Sequence, residues 1–315
     1  MIKARIFDTH RMATGDGPGL RTTFFLKGCP LNCSWCHNPE SISPAPEVWW
    51  FDKTCIGCGK CVESCPVSAL ILSETGISVD RQHCTGCGVC TEVCPSGSME
   101  LLGREWSVKE ALDYALKDKV FYQTSSGGVT LSGGEPSLYH DFCTAFLKRA
   151  REHSISTAFD TCGLMSLDIL KGLIPLTDIF LWDIKTIDSD EHRKLTEIPN
   201  EVILSNLLYL ADAIRENPTT RLWIRTPLIP GYTASEKNIS EIASFISENL
   251  IDVIESWELC AFNGSCSSKY RRLGKVWELS EVPSMNEKDI NSLKAVVNSF
   301  APLSECTFFT GIINS

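Results

Sequence analysis

Eleven of the sixteen cysteines in this 315-residue chain lie in three short motifs. The first is C-x3-C-x2-C in the stretch GCPLNCSWCHNPE (28–40), with thiols at Cys29, Cys33 and Cys36. Three thiolates on one loop can hold three irons of a [4Fe–4S] cube and leave the fourth iron open. An open metal position is typical of a catalytic site rather than a structural one. The motif therefore predicts a catalytic cluster, and a zinc site completed by His37 is the alternative.

The other eight clustered cysteines form two runs with the spacing C-x2-C-x2-C-x3-C-P. Bacterial ferredoxins use this run for [4Fe–4S] clusters, and its fourth cysteine ligates the other cluster. One cluster is therefore expected on Cys55, Cys58, Cys61 and Cys94. The second is expected on Cys84, Cys87, Cys90 and Cys65. Zinc is the alternative, although zinc usually takes two C-x2-C pairs without a third cysteine at the same interval.

The two runs are compact enough to form a small unit of their own. We predict a ferredoxin-like α+β domain over residues 49–104, inserted into a larger domain made of residues 1–48 and 105–315. The net charge of -10 argues against general binding to a nucleic-acid backbone. No apolar run reaches 18 residues, and the N-terminus lacks the apolar region of a secretory signal. These features predict a cytoplasmic protein that binds neither nucleic acid nor membrane.

The larger domain alternates apolar strand-like runs with stretches of helical period. The predicted strands are 21–28, 128–134, 157–163, 178–185, 220–231, 253–262 and 305–311. The predicted helices are 107–119, which a Ser107–Glu110 capping box opens, 138–152, 200–215 and 235–250. This alternation implies right-handed βαβ crossovers and a parallel sheet. Six or seven such units favour a full or partial barrel, whose chemistry sits at the C-terminal strand ends.

Polar motifs fall at these strand ends. SGGEP follows the second strand and supplies Ser132, Gly133, Gly134 and Glu135. Here the glycines would let the backbone approach a ligand, and the carboxylate could accept a hydrogen bond from an ammonium group. The next two strands end with Asp160 and Thr161, and with Asp183 and Lys185. The two aspartates could bind a cation and the lysine a carboxylate, or an aspartate and the lysine could form a structural ion pair.

Taken together, the motifs resemble those of glycyl-radical enzyme activating enzymes, a family of radical S-adenosylmethionine (SAM) enzymes. The chain has DGPGLRT (16–22), the three-cysteine stretch, SGGEP, DTCG, DIK and PGYT (230–233) in the family's order. The similarity covers essentially the whole chain, and the ferredoxin-like insertion marks the longer branch of the family. The resemblance implies an α/β fold, a partial (β/α)6-type radical SAM barrel with the inserted domain, and three [4Fe–4S] clusters in all.

The resemblance also implies roles for the matched residues. The catalytic residues would be Cys29, Cys33, Cys36 and Lys185. SAM would contact Trp35, Cys36, His37, Ser132, Gly133, Gly134, Glu135, Asp183 and Lys185. A monovalent cation would bind Asp160, Thr161 and Asp183 together with the Leu181 carbonyl. The segment 16–21 would lie near the glycine loop of a bound partner.

Two departures from the family pattern concern contacts with SAM. Some relatives have a histidine shortly after the PG turn, where this chain has only Asn238 and Ser240 nearby. The last inner strand ends LCAFN, so Phe262 and Asn263 replace an aromatic–histidine pair.

The activity implied by the resemblance is reductive cleavage of SAM to a 5′-deoxyadenosyl radical, which takes a hydrogen atom from a glycine of a partner glycyl-radical enzyme. A ferredoxin or flavodoxin would be the reductant, and the two further clusters would relay electrons or have a docking or structural role. We expect a monomer in an anaerobic cytoplasm. The alternatives are a radical SAM enzyme acting on a small molecule or another peptide, and a ferredoxin-type carrier with a non-catalytic barrel.

Overall fold

The computed structural model describes residues 2–313, so the predicted domain limits 1 and 315 lie outside the described residues. The strands are β1 (Lys3–Ala13), β2 (Arg21–Leu26), β3 (Glu47–Trp50), β4 (Leu70–Ser73), β5 (Gly76–Val79), β6 (Met99–Leu102), β7 (Arg104–Ser107), β8 (Gly128–Gly133), β9 (Ser156–Thr161), β10 (Ile179–Asp183), β11 (Arg221–Leu228), β12 (Ile254–Ala261) and β13 (Thr307–Thr310). The α-helices are α1 (Lys60–Glu63), α2 (Val89–Glu92), α3 (Val108–Leu116), α4 (Lys119–Ser125), α5 (His140–Glu152), α6 (Leu167–Leu173), α7 (Ser189–Thr196), α8 (Glu201–Glu216), α9 (Glu236–Asn249), α10 (Ser267–Arg272) and α11 (Glu287–Asn298).

Within the described chain, nine strands form one open sheet in the order β13-β12-β11-β10-β9-β8-β2-β1-β7. Seven strands of this sheet, β2 and β8 to β13, run parallel to one another. Strand β1 pairs antiparallel with both β2 and β7. From β8 to β13 the strand order follows the chain order, so every crossover moves one position in the same direction. This is the singly wound arrangement of a partial barrel, and it confirms the predicted fold class.

The two faces of the sheet bury different side chains because successive residues of a strand point to opposite faces. In β11, Leu222, Ile224 and Leu228 belong to the large core under the helices. The intervening Trp223 packs with small apolar residues of β9 and β10 in a separate cluster on the other face. This concave face is therefore apolar at its base and free to carry polar groups nearer the carboxyl ends of the strands.

All seven strands predicted for the larger domain are present, and each ends one to three residues earlier than predicted. The four predicted helices are also present, although residues 119–125 form a separate helix, and the Ser107–Glu110 capping box is confirmed. Sequence periodicity missed β1, β7, α6, α7, α10 and α11. The short helices α6, α7 and α10 span too few turns for a clear period, and β1 mixes polar and apolar residues along its length. No helix in residues 2–313 is long and apolar enough to span a bilayer.

The insertion has its own small core. Strands β3 and β6 pair antiparallel and bring its two ends together, and β4 and β5 form a separate hairpin. Val48, Leu70, Ile77 and Met99 pack with the cysteines on one side of this unit. On the other side, Trp49 and Leu102 pack against Phe7, Phe25 and Leu273 of the larger domain. Since β3 starts at Glu47, pairing within the insertion begins two residues before the predicted boundary at 49.

Candidate active site

A cavity of about 300 Å³ opens at the carboxyl ends of the parallel strands, and its volume suits a small-molecule ligand. It is the place where most of the predicted site residues meet. Those lining it are Cys29, Cys33, Trp35, Cys36, His37, Ser132, Gly133, Gly134, Asp160, Thr161, Asp183 and Lys185. Residues far apart in the chain converge there because parallel strands end at one edge of the sheet.

The structure does not bring Glu135 into this cavity. Its side chain is fully buried. The residue caps the start of a short 3-10 helix, and its carboxylate accepts a hydrogen bond from the Ser137 amide at 3.0 Å. The same carboxylate accepts from the Thr161 hydroxyl and from the Cys162 amide, both at 2.9 Å. These hydrogen bonds give Glu135 a structural role at the end of β9, and its contact with SAM stays a prediction.

The paired glycines join the end of β8 to the three-cysteine loop. The Gly134 amide donates to the Leu26 carbonyl at 2.8 Å, and the next amide, of Glu135, donates to the Gly28 carbonyl at 2.7 Å. Gly133 has φ +111°, and a Cβ on Gly134 would collide with the Gly28 carbonyl. Both positions therefore require glycine, because the backbone of β8 touches the backbone of the loop.

The three-cysteine loop (28–42) is held by segments from distant parts of the chain. Its ends are joined by hydrogen bonds from Gly28 to Ser41 and from Cys29 to Ile42. The loop amides of Asn32 and Ser34 donate to the last carbonyls of α7, at Thr196 and Leu195. On the other side, the Tyr270 hydroxyl of α10 donates to the Cys36 carbonyl at 2.9 Å, and Trp277 Nε1 donates to the Ser34 carbonyl at 3.0 Å. The loop is thus fixed at its ends, its centre and its last cysteine.

The strand register places charged residues side by side on the concave face. Asp183 of β10, Arg225 of β11 and Glu258 of β12 are neighbours across the sheet. Arg225 lies 3.4 Å from an Asp160 oxygen and 3.0 Å from a Glu258 oxygen. Lys185 Nζ lies 2.7 Å from an Asp183 oxygen. The floor of the cavity is therefore a network of three carboxylates and two cations.

Burial and charge both act on these groups. Burial raises the pKa of Asp160 to about 6, although Arg225 opposes the shift. Burial lowers the pKa of Lys185, but Asp183 and the neighbouring thiols outweigh it and hold that pKa above its usual value. Burial lowers the pKa of His37, so its ring is neutral at pH 7. The lysine is therefore a permanent cation in the cavity wall.

The three thiols of the loop are partly buried, which disfavours the thiolate form unless a metal binds it. Burial raises the pKa of Cys29 to about 12 and also raises the pKa values of Cys33 and Cys36. A bound cationic metal centre reverses this preference because it stabilises the thiolate. All three thiols face the same cavity, which leaves room for a ligand beside them.

The eight cysteines of the insertion gather in two small cavities. Cys55, Cys58, Cys61 and Cys94, named quartet 1, line the first. Cys65, Cys84, Cys87 and Cys90, named quartet 2, line the second. Each set takes its fourth cysteine from the other run, which is the grouping expected from the spacing. The Sγ atoms of the exchanged residues, Cys65 and Cys94, each accept a hydrogen bond from a backbone amide at 3.2 Å.

Among residues 2–313, no three cysteine, histidine, aspartate or glutamate side chains form a group that could hold a single metal ion. The C-x2-C-x2-C-x3-C-P spacing of the two cysteine runs is typical of [4Fe–4S] clusters.

Other residues singled out in the sequence lie outside the cavity lining. Asn238 donates to the Lys185 carbonyl at 3.1 Å and to the Thr233 carbonyl, so it holds the lysine strand end in place. The Asn263 side chain accepts hydrogen bonds from Ser265. Both asparagines are therefore occupied by contacts within the chain.

The segment 16–21 lies at the amino end of β2. The Asp16 carboxylate accepts a hydrogen bond from the Thr23 hydroxyl at 2.7 Å. Arg21 is fully buried, and its guanidinium donates to the Thr130 hydroxyl at 2.7 Å and to the Val129 carbonyl at 2.6 Å. Its side chain therefore supports the strand ends and is not available to a partner, whereas the position of this segment near a glycine loop stays a prediction.

Sequence reasoning missed several residues of the cavity. Arg225, Pro227, Cys162 and Cys260 line it, and Glu258 lies behind Arg225. A charged residue inside the buried strand run LWIRTPLI is the signal that could have revealed Arg225, since such a residue requires a partner. Its carboxylate partners depend on the register between strands, which the sequence does not show.

Comparison with known proteins agrees with this geometry. The family model of the radical SAM superfamily matches residues 81–243, that of a 4Fe-4S dicluster domain residues 51–101, and that of a 4Fe-4S single cluster domain residues 15–63. A radical SAM methyltransferase from Sphaerobacter thermophilus shares the fold, with a TM-score of 0.53 over 97% of this chain and 77% of its own at 12% identity. The chain is thus a radical SAM enzyme that binds iron–sulfur clusters and SAM.

Curated relatives narrow this class. The trans-4-hydroxy-L-proline dehydratase activating enzyme of Clostridioides difficile is 36% identical over 92% of this chain and 94% of its own. The isethionate sulfite-lyase activating enzyme of Desulfovibrio desulfuricans is 37% identical over 92% of both chains. The (2S)-3-sulfopropanediol dehydratase activating enzyme of Klebsiella oxytoca is 36% identical over 88% of this chain and 87% of its own. The chain belongs to the family of glycyl-radical enzyme activating enzymes.

Proposed function

We propose that this protein activates a glycyl-radical enzyme of the dehydratase, lyase or decarboxylase type by generating a radical from SAM. The observation that carries the proposal is the shared cavity, in which a loop with only three thiols faces the Lys185–Asp183 pair. A carrier of electrons has no use for such a cavity. Relatives that activate dehydratases, lyases and a decarboxylase support the partner class.

Cys29, Cys33 and Cys36 would hold a [4Fe–4S] cluster, and SAM would fill the cavity beside it. When bound, the cluster supplies one electron to SAM, which splits into methionine and a 5′-deoxyadenosyl radical that takes a hydrogen atom from the partner's glycine. The chain itself contributes binding, orientation and exclusion of water. Its cavity walls are apolar on the side of Trp35, Ile229 and Phe262.

Lys185 would bind the carboxylate of SAM. It is 6% exposed, remains charged at neutral pH and points into the cavity beside Asp183. A charge-assisted hydrogen bond in a site that excludes water is stronger than one at a surface. The backbone around Gly133 and Gly134 would lie along the methionine part of SAM, since no side chain intervenes there.

A monovalent cation would bind among Asp160, Thr161 and Asp183, which line one side of the cavity together. Arg225 and Lys185 already contact the two aspartates, and the carboxylate of bound SAM would draw Lys185 away from Asp183. That movement would leave Asp183 with spare negative charge for the cation.

Quartets 1 and 2 would each hold a further [4Fe–4S] cluster, which gives three clusters in total. A ferredoxin or flavodoxin would supply the electron, and the protein would act as a monomer. The grouping of the eight cysteines into two cavities of four supports the two further clusters.

The test is anaerobic reconstitution followed by addition of dithionite and SAM. The wild type should release 5′-deoxyadenosine, and Cys33→Ala should lose at least about 1,000-fold of that activity, as when a metal-based catalytic group is removed. Cys58→Ala is the matched control, because it removes a thiol of quartet 1 and should keep activity within a few fold. An iron-replete wild type that gives no 5′-deoxyadenosine would refute the proposal.

The partner class requires a second measurement. Co-incubation with glycyl-radical enzymes of the three types should produce a glycyl-radical EPR signal with one of them and none with Cys33→Ala. If 5′-deoxyadenosine forms but no such enzyme acquires the signal, the alternative of a small-molecule or peptide substrate is supported instead.

A further inference from the structure

Both chain connections of the insertion meet beside the start of the three-cysteine loop. Lys27, fully buried and two residues before Cys29, forms an ion pair with Glu47 at the start of β3, with Nζ 2.7 Å from Oε2. Gly103, directly after β6, packs against the Lys27 side chain and leaves no room for a Cβ. This end of the β3–β6 pair is therefore the end nearest to the three-cysteine loop.

The two cysteine cavities lie at different positions along this strand pair. Glu47 pairs with Leu102 at the near end, and Trp50 pairs with Met99 at the far end, about 10 Å away along the strand. Val48 lines the cavity of quartet 2, whereas Trp50 and Met99 line the cavity of quartet 1. Quartet 2 is therefore closer to the three-cysteine loop than quartet 1.

Helix α10 connects quartet 2 with the three-cysteine loop. Arg81, three residues before Cys84 of quartet 2, donates to the Val48 carbonyl at 2.7 Å and to the Arg272 carbonyl of α10 at 2.8 Å. Two residues earlier in α10, the Tyr270 hydroxyl donates to the Cys36 carbonyl. Helix α10 therefore makes one hydrogen bond with each of the two cysteine-bearing segments.

Equivalent glycines of the two runs show that quartet 1 faces outward. A Cβ on Gly86, in the loop of quartet 2, would collide with the Pro46 carbonyl. A Cβ on Gly57, at the same position in the loop of quartet 1, would have no described atom within 4 Å. The neighbouring Ile56 is 68% exposed. Cys58 and Cys87 are both exposed, so the difference between the loops lies in what surrounds their glycines. The loop of quartet 1 is thus open to another protein.

We propose that the two quartets hold clusters that transfer electrons in series. The cluster of quartet 1 would accept the electron from outside, and the cluster of quartet 2 would pass it to the three-cysteine loop. The proposal rests on the proposed function. With a [4Fe–4S] cluster held by each set of cysteines, one electron from a low-potential carrier protein, which is oxidised, would reduce the cluster of quartet 1, then that of quartet 2, and last that of the three-cysteine loop. No bond forms or breaks on this route.

The experiment compares two reductants of the reconstituted holoenzyme by freeze-quench EPR. Reduced flavodoxin is a protein donor that must dock, whereas dithionite is small and reaches every cluster. Cys58→Ser and Cys87→Ser form a matched pair, because each replaces one exposed thiol and marks the EPR signal of its own cluster. Arg81→Gln keeps every cysteine and removes the hydrogen bonds to Val48 and Arg272, so it tests the route without touching a ligand.

The series order makes the variants unequal with flavodoxin. In both Cys87→Ser and Arg81→Gln, the cluster of quartet 1 should be reduced at the wild-type rate. Reduction of the cluster at the three-cysteine loop should slow at least tenfold in Cys87→Ser and at least threefold in Arg81→Gln. In Cys58→Ser, reduction at quartet 2 and at the loop should both slow at least tenfold. An electron held at quartet 2 in Cys58→Ser, or unchanged reduction of the loop in both serine variants, would overturn the order. Dithionite-driven 5′-deoxyadenosine formation tests the proposed function separately, since it requires neither quartet.

Discussion

The three-cysteine loop and the two quartets present the same chemical group in opposite settings. The quartets are supported locally, by the short helices α1 and α2 and by a core within the insertion. The loop is supported by β8, α7, α10 and Trp277, which come from widely separated parts of the chain. Their cavities differ as well, because charged strand-end residues line the cavity at the loop.

This difference would let one chain separate electron transfer from chemistry. Four thiols would saturate a cluster and leave no position for an outside ligand, which suits electron transfer. Three thiols beside a charged cavity require an outside ligand, so residues remote from the loop decide what binds there. Substitutions in the larger domain should therefore alter the loop without altering the quartets, and the effects can be ranked by size.

The largest effect is expected for Lys185→Met. Removing one partner from a buried charge pair costs about 3 kcal/mol or more, equivalent to at least ~100-fold in kcat/KM for SAM. 5′-Deoxyadenosine formation with dithionite measures this loss, and the iron content of the protein should stay at the wild-type value. Lys194→Met, at an exposed position of α7, is the matched control. Wild-type kcat/KM in Lys185→Met would show that the Lys185–Asp183 pair is purely structural.

A smaller effect, on stability, is expected for Glu135→Gln. The neutral amide loses the charge that accepts hydrogen bonds from Thr161 and Cys162, and its NH2 group faces other donors. Charged hydrogen bonds contribute about 1.5–3 kcal/mol, so the free energy of unfolding should fall by about 2–3 kcal/mol. Urea denaturation measures the change. Glu152→Gln, at an exposed position of α5, should change it by less than about 0.5 kcal/mol. Equal values for the two variants would contradict the structural role of Glu135.

Much of this site follows from the sequence because its signals are local. The spacing of Cys29, Cys33 and Cys36 is a property of one loop, and the strand-end positions of Asp160 and Asp183 follow from apolar runs. Their convergence could be predicted because parallel strands end at one edge. The grouping of quartets 1 and 2 followed from a repeat in the chain.

The rest depends on contacts between distant segments. Arg225 meets Glu258 only through the register of β11 and β12, and Tyr270 reaches Cys36 across more than two hundred residues. Glu135 was matched to SAM through the SGGEP motif, and the sequence did not show that its carboxylate would accept hydrogen bonds from Thr161 and Cys162. Strand β1 was missed because polar residues interrupt its apolar pattern, while pairing with β2 and β7 keeps it in the sheet.

A still smaller effect, confined to the three-cysteine loop and absent from the quartets, is expected for Tyr270→Phe. The substitution removes the hydrogen bond to the Cys36 carbonyl, which contributes about 1 kcal/mol, so local opening should become roughly five times more frequent. Hydrogen exchange measured by mass spectrometry should rise in residues 28–42 and stay unchanged in residues 55–65. A similar rise in both segments would mean that the loop has no support of its own from α10.

The smallest effect concerns pH and His192, in the helix that supports the centre of the loop. Burial lowers the pKa of His192, whose Nδ1 lies 2.6 Å from the Ile198 carbonyl oxygen. Because the folded pKa is below the unfolded value of about 6.5, stability is complete above that pH and is lost as the pH falls through it. Between pH 7.5 and 6.0 the wild type should lose up to about 0.8 kcal/mol of unfolding free energy through this group. His192→Gln should lose correspondingly less in the same urea titrations, and an equal loss in both proteins would show that His192 titrates alike in the folded and unfolded chains.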